Sequence, residues 1–294
     1  MITPQHRMME FSDGAVSYLE WEAAPGAPTL VFVHANGFNA ATYRTLLSPL
    51  AGRFRIAAPD LRGHGRTTLA ADPALIKSWA THRDDLLHFL DGLGGKPVLL
   101  AGHSMGATTS LLTVAARPGL ARALVMTEPV MVPDGVAYFA KLLRLLGLDD
   151  RISPLVAQAK RRRARFATRE EALSAFRGRG AFRNWPDAVV ADYVEGGLTE
   201  DGNGGFKLAC APEWEAVTFS IFPAGLASLG RRIDAPVTIL QGTERSTAAA
   251  SVVRSFARNH HNTRLVGVPG ASHFLPMEQP EIVREEILRA AATI

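Results

Sequence analysis

The stretch Val98-Leu99-Leu100-Ala101-Gly102-His103-Ser104-Met105-Gly106 decides how the rest of this chain is read. Its first residues form an apolar run of strand length, and Ser104–Ala116 has the spacing of a helix. Between them stands Gly-x-Ser-x-Gly, the pattern of a serine held on a tight strand-to-helix turn. Such a turn puts the serine backbone at a strained angle and requires flanking residues without a Cβ. The hydroxyl then stands clear of the sheet, above a helix N-terminus that favours developing negative charge.

Working outward, Ala15–Trp21, Thr29–Val33, Arg55–Ala58, Pro97–Ala101 and Ala123–Thr127 read as short buried strands. Ala40–Ala51, Ser78–Gly92 and Ser104–Ala116 alternate with them as helices, and that alternation implies crossovers and a parallel sheet. The pattern stops at Pro129 and resumes with strand Pro236–Gln241, helix Ala248–Asn259, strand Arg264–Val268 and helix Pro280–Ala292. The interval holds helical segments at Asp134–Leu146, Ile152–Phe166, Glu170–Arg177 and Pro186–Glu195, with a turn at Asp201–Gly205. It reads as an all-helical cap inserted between two sheet strands. The expected organisation is therefore α/β: core residues 1–130, cap residues 131–225 and core residues 226–294.

The 294 residues carry 32 Lys and Arg against 28 Asp and Glu, a formal charge of +4, with 47% hydrophobic residues. This is globular composition, and the excess charge is too diffuse for a nucleic-acid footprint. Cys210 is the single cysteine, so there is no internal disulfide and no zinc-ligand spacing. The N-terminal residues lack a signal-like apolar region, and no run approaches the ~18 apolar residues of a membrane span. These features point to a cytoplasmic protein without cofactor or metal.

A serine hydroxyl near neutral pH needs a base, and in a strand-turn-helix arrangement of this kind the base comes last in the chain. His273, in Pro269-Gly270-Ala271-Ser272-His273-Phe274, follows the last strand and is the candidate. His6, His82, His88, His260 and His261 fit surface or satisfied positions better, His103 fits packing inside the turn, and His34 fits bracing a loop. The acid departs from the common pattern. The usual place, three residues beyond Gly242, is occupied by Arg245. Glu128, at the end of strand Ala123–Thr127, is the leading candidate, with Glu244 as the alternative acid and a dispensable acid as a third possibility. For a tetrahedral oxyanion, the donors would be the backbone N–H of Met105 and one from His34-Ala35-Asn36-Gly37-Phe38, with Asn36 preferred and Ala35 next.

With these motifs the chain resembles the α/β-hydrolase fold superfamily, in its serine esterase or lipase type, over about two thirds of its length. The matching residues are His34-Ala35-Asn36-Gly37, Asp60-Leu61-Arg62-Gly63-His64-Gly65-Arg66, the Ser104 turn and Gly270-Ala271-Ser272-His273. The resemblance implies a mostly parallel central sheet flanked by helices. It also implies a loop-bracing role for the Asp60 segment and hydrolysis of a carboxylic ester or related acyl substrate by a Ser-His-Glu triad. An acid at the position of Glu128 is similar to that of haloalkane dehalogenases, but those use an aspartate nucleophile. Ser104 therefore favours acyl chemistry over halide displacement or epoxide opening. Carbon–carbon bond hydrolysis, lactone hydrolysis and perhydrolysis use the same triad, and a hydrolase-like small-molecule receptor is the reading from another class.

Within the cap, Arg151–Arg183 holds ten basic residues and two acids, a net +8, while Asn184–Gly225 carries a net −6. The simplest expectation is that the two halves face each other and water in surface ion pairs. The sharper one is that one or two arginines face the site and select anionic substrates. Large apolar residues, among them Phe139, Leu142, Leu146, Phe176, Phe182, Trp185 and Phe219, are expected mostly in the cap core, some lining an apolar pocket over Ser104. The expected partner is thus a small, partly hydrophobic molecule, not nucleic acid.

Overall fold

Strands buried on both faces by crossover helices should read as near-continuous apolar runs, and those runs form the centre of the molecule. The computed structural model describes residues 2–293. The first half contributes β1 (Gln5–Phe11), β2 (Gly14–Trp21), β3 (Thr29–Val33), β4 (Arg55–Pro59), β5 (Val98–His103) and β6 (Ala121–Thr127). A segment after β6 carries β7 (Arg165–Phe166), β8 (Leu198–Glu200) and β9 (Phe206–Leu208), and β10 (Val237–Gly242) and β11 (Thr263–Val268) follow. The main sheet has the order β1-β2-β4-β3-β5-β6-β10-β11. Its pairs from β4 through β11 are parallel, and β1 with β2 and β2 with β4 are antiparallel.

The flanking helices are α1 (Arg44–Leu47), α2 (Ala80–Gly92) and α3 (Met105–Ala116) before the segment. Within it lie α4 (Asp134–Leu145), α5 (Pro154–Arg161), α6 (Arg169–Phe176), α7 (Asp187–Gly197) and α8 (Pro212–Phe219). After it come α9 (Ala250–Asn259), α10 (Leu275–Glu278) and α11 (Pro280–Ala291). Alternation along β5 divides the core: Leu100 joins Leu86, Leu111 and Phe256 on one face, and Leu99 joins Leu46, Leu47 and Ile287 on the other. Each such fully buried side chain contributes about 1.5–3 kcal/mol relative to exposure.

All seven strands expected in the core are present, and an eighth, β1, had no legible pattern. It is an edge strand whose residues are mostly exposed, so no burial selects an apolar alternation. The helix expected over Ala40–Ala51 is instead a 3-10 turn, α1 and a second 3-10 turn holding Pro49.

Three expectations for the inserted segment are corrected. It is not all-helical: β7, β9 and β8 make a small antiparallel sheet, with Asp201–Gly205 turning between β8 and β9. Strands of two or three residues are too short to show a period. The helix expected over Ile152–Phe166 ends at Arg161, where Arg162 takes an extended backbone and sends its side chain inward to Glu215 and Tyr193. The chain then enters β7. Phe139, Leu142 and Leu146, expected in a core, are exposed.

The segment leaves after β6 and returns before β10, two strands that pair directly, so it is a topological insertion. It rests on the loop after β3. Asn36 Nδ2 donates to the Glu215 carbonyl (3.0 Å), and Asn39 Nδ2 donates to the Tyr193 carbonyl (3.1 Å). Arg44 pairs with Asp192 and Glu195. A Cβ on Gly37 would collide with the Glu215 carboxylate, which shows how closely loop and segment approach. The oppositely charged halves do meet: Arg162 pairs with Glu215, Arg165 with Asp201 and Arg177 with Asp187. Among the described residues, no helix is long and apolar enough to cross a membrane.

Candidate active site

β5 delivers Ser104 to the C-terminal edge of the sheet, and α3 begins at the next residue. Ser104 has φ 54° and ψ −120°, a sparsely populated region for a residue with a side chain. The glycines that flank it are obligatory. A Cβ on Gly102 would come 2.8 Å from the Ala107 nitrogen, and one on Gly106 would enter the carbonyl oxygens of Val33 and His34. The turn predicted from sequence is thus enforced by contact with β3.

The loop after β11 brings His273 to this serine. His273 Nε2 lies 3.0 Å from Ser104 Oγ, and Nδ1 lies 3.3 Å from Glu128 Oε2. Glu128 sits at the end of β6, fully buried, with φ 49°. Its carboxylate is fixed by two backbone donors: Gly242 N–H to Oε1 (2.6 Å) and Thr247 N–H to Oε2 (3.1 Å). Two strained non-glycine residues therefore stand on either side of one histidine. Glu244 is exposed, its backbone N–H bonded to the Ala271 carbonyl, and no hydrogen bond joins its carboxylate to His273 among the described residues. Arg245, also exposed, has φ 54°.

Thr247 was not anticipated. Its hydroxyl donates toward the carbonyl of Glu128 (3.1 Å) or Pro129 (3.3 Å) and presents a lone pair to His273 Nδ1 at 3.1 Å. The Nδ1 proton is thereby shared between a carboxylate and a hydroxyl. A threonine two residues beyond Arg245 carries no motif, so only the folded loop reveals it.

Asn36 and Met105 line the same cavity as Ser104 and His273, and their N–H groups donate to no protein acceptor among the described residues. Ala35 is excluded from that set, because its N–H bonds to the Tyr43 hydroxyl (3.1 Å). The Tyr43 hydroxyl in turn donates to His103 Nδ1 (2.7 Å), and His103 Nε2–H donates to the His273 carbonyl (2.7 Å). Burial holds the His103 pKa well below its ordinary range, assisted by the neighbouring His273, so the ring is neutral with its proton on Nε2. His103 is thus a strut, where sequence reading placed only a packed ring.

The loop bearing Asn36 is braced from beneath. His34 Nδ1–H donates to the Ala35 carbonyl, and Nε2 accepts the Leu61 N–H. His64 Nδ1–H donates to the Arg62 carbonyl, and Nε2 accepts the Gly37 N–H. Burial depresses both imidazoles, His64 to about 4. Asp60 accepts from the backbone of Ala40 and Arg66, and burial raises its carboxyl to about 6.

Above Ser104 lies a cavity of about 410 Å³ between the core and the inserted segment. Phe38, Phe176, Phe182, Phe219 and Phe274 give it an apolar wall. Arg162 and Arg179 also line it. Arg162 is committed to Glu215 (2.5 Å) and the Tyr193 hydroxyl (2.7 Å). Cys210 is buried nearby as a free thiol, and no group of three or more His, Cys, Asp or Glu among the described residues could hold a metal ion.

A serine and histidine in hydrogen-bond reach at the C-terminal edge of a mostly parallel sheet, with a carboxylate behind, mark the hydrolase class of α/β proteins. The alpha/beta hydrolase family model matches residues 30–286, and the chain belongs to that family. It is 26% identical over 263 residues to the 2-(acetamidomethylene)succinate hydrolase of Mesorhizobium japonicum, covering 88% of this chain and 86% of that one. Lipase LipV of Mycobacterium tuberculosis is 35% identical over 106 residues, a local match of 36% of this chain and 39% of the lipase. The crystal structure of E-2-(acetamidomethylene)succinate hydrolase superposes with a TM-score of 0.79 at 22% identity, over 98% of this chain and 99% of that one.

Proposed function

We propose that this chain is a serine hydrolase that cleaves carboxylic esters of partly hydrophobic acids or alcohols through a Ser104-His273-Glu128 triad. The observation that carries the reading is the line of contacts Ser104 Oγ to His273 Nε2 (3.0 Å) and His273 Nδ1 to Glu128 Oε2 (3.3 Å). As the substrate carbonyl settles over Ser104, His273 Nε2 takes the hydroxyl proton while Oγ bonds to the carbonyl carbon. Glu128 holds the ring's Nδ1 proton and stabilises the imidazolium. The free N–H groups of Met105 and Asn36 receive the oxyanion. Collapse of the tetrahedral intermediate expels the alcohol, which takes the proton from Nε2, and leaves an acyl-serine. Water then enters, loses its proton to His273 and releases the acid by the reverse sequence.

Residues 131–225 act as a cap, and the aromatic wall of the cavity supports an apolar acyl or alkyl group. No cofactor or metal enters this scheme. The test is fluorophosphonate labelling and turnover of aryl esters of increasing chain length. Wild type labels and turns over, whereas Ser104→Ala does neither; labelling of that variant overturns the reading.

A second reading, an anionic acyl substrate, is favoured by Arg162 and Arg179 in the cavity wall and by the succinate in the name of the Mesorhizobium relative. Against it, the charge of Arg162 is already matched by Glu215. Parallel assays of a neutral and an ω-carboxylated ester of equal length separate the two.

A further inference from the structure

Helix α4 turns its large side chains the wrong way for a core. Ala137 and Ala140 are buried, and Arg144 reaches inward to the Ile76 carbonyl. The opposite face carries Tyr138, Phe139, Leu142, Leu145 and, at the C-cap, Leu146, which follow helical spacing and are 50–76% exposed. A contiguous apolar face on a folded chain marks an interaction surface. Leu155, at the start of α5, is a further exposed apolar side chain of the inserted segment, and it lines the cavity above Ser104.

We infer that this face is a docking surface for an anionic phospholipid bilayer. Charge selects the occupant. From α4 through α5 the acids are already engaged: Asp134 with the Gly225 N–H, Asp149 with Arg144 and Asp150 with Lys160. Exposed Lys141, Arg151 and Arg161 pair with no carboxylate among the described residues. Apolar side chains beside uncompensated cations suit a headgroup layer that is apolar beneath and negative above. A second copy of the chain fits less well, because a two-fold contact through this face would bring the same three cations toward one another.

The experiment is co-sedimentation of the full chain with vesicles of phosphatidylcholine, with and without phosphatidylglycerol. Wild type sediments with the phosphatidylglycerol vesicles and is released by high salt. Leu142→Glu/Leu145→Glu lowers its partition at least about ten-fold, as expected for charge placed in the apolar layer. Lys141→Glu/Arg151→Glu lowers it for the anionic vesicles. Both variants keep wild-type thermal unfolding, since only exposed side chains change, and Ser104→Ala sediments like wild type, which separates docking from the hydrolase reading. Wild type that stays in the supernatant overturns the proposal, as does equal sedimentation of the Leu142/Leu145 variant. A dimer in sedimentation equilibrium that the same substitutions dissociate assigns the face to self-association instead.

Discussion

His103 Nε2 donates to the backbone carbonyl of His273 at 2.7 Å, so a residue of the serine turn holds the loop that carries the base 170 residues away. The strut continues through Tyr43 to the Ala35 N–H, tying the base loop to the loop that presents Asn36. Replacing His103 by Leu leaves the His273 carbonyl without its donor and the Tyr43 hydroxyl proton without its acceptor, each costing about 1–3 kcal/mol. It also loosens the distance between His273 and Ser104. The expected result is a kcat lowered by about 10²-fold with KM little changed, because small misplacements of a reacting group cost about that much. His103→Gln, which can donate and accept at similar positions, recovers most of the loss. Steady-state kinetics with thermal unfolding of both variants checks this.

Glu128→Gln keeps the shape of the acid and can still accept one hydrogen bond, but it loses the charge that stabilises the imidazolium. On the proposed mechanism kcat/KM for an ester falls by about 10³–10⁴-fold, the range seen when a triad acid is neutralised. Glu244→Gln, an exposed change that removes no hydrogen bond to His273, stays within about two-fold. Equal losses in the two variants would dismiss Glu128 from the acid role.

Thr247→Val removes the hydroxyl that shares the His273 Nδ1 proton while preserving the backbone N–H bond to Glu128. The ring then relies on the carboxylate alone at 3.3 Å. An order-of-magnitude loss in kcat/KM is expected, with Thr247→Ser near wild type. In a double-mutant cycle with Glu128→Gln the two losses should be non-additive, since both groups hold one proton. Strict additivity would place Thr247 outside the site.

These residues also divide what the sequence made legible from what it did not. The turn around Ser104 and the position of His273 were readable because steric necessity leaves glycines and a strand-helix frame in the local sequence. The place of Glu128 was readable by elimination, once Arg245 was found at the usual acid position. Thr247 and Tyr43 were not, because each acts through contacts made only when distant loops meet, and a threonine or tyrosine leaves no local pattern. Strand β1 and the sheet in the inserted segment escaped for the opposite reason: short or exposed strands bury too little to impose a period.

Four of the five buried histidines, those fully enclosed in the core, dominate how stability depends on pH. Burial depresses His64 to about 4 and His82 to about 3, and His34 and His103 also lie well below the ordinary 6.5. Their contribution is fully present above pH 6.5. As pH falls toward 4 the unfolded chain binds protons that the folded chain refuses, costing about 1.4 kcal/mol per pH unit for each histidine. Asp60 opposes one of the four, because its carboxyl, raised to about 6 by burial, takes up a proton in the folded state first. Urea unfolding from pH 7 to 4.5 should therefore show a falling free energy. His82→Leu should flatten the slope by one proton's worth; an unchanged slope would mean that His82 is protonated in the folded protein.

The Arg162–Glu215 pair gives the sharpest handle on substrate charge. Both side chains are largely buried in the cavity wall, and a buried charge left without its partner costs about 3–5 kcal/mol. Glu215→Gln keeps an acceptor for the guanidinium but removes the compensating charge, so Arg162 presents a net positive group to the cavity. The variant should unfold at a lower temperature than wild type. Its preference should shift by about ten-fold in kcat/KM toward an ω-carboxylated ester over its neutral counterpart, as expected for about 1.4 kcal/mol of differential interaction. Arg162→Met should move the preference the other way. If wild type already favours the charged ester and Arg162→Met abolishes that preference, the arginine selects anions despite Glu215, and the neutral-ester reading gives way to the second one.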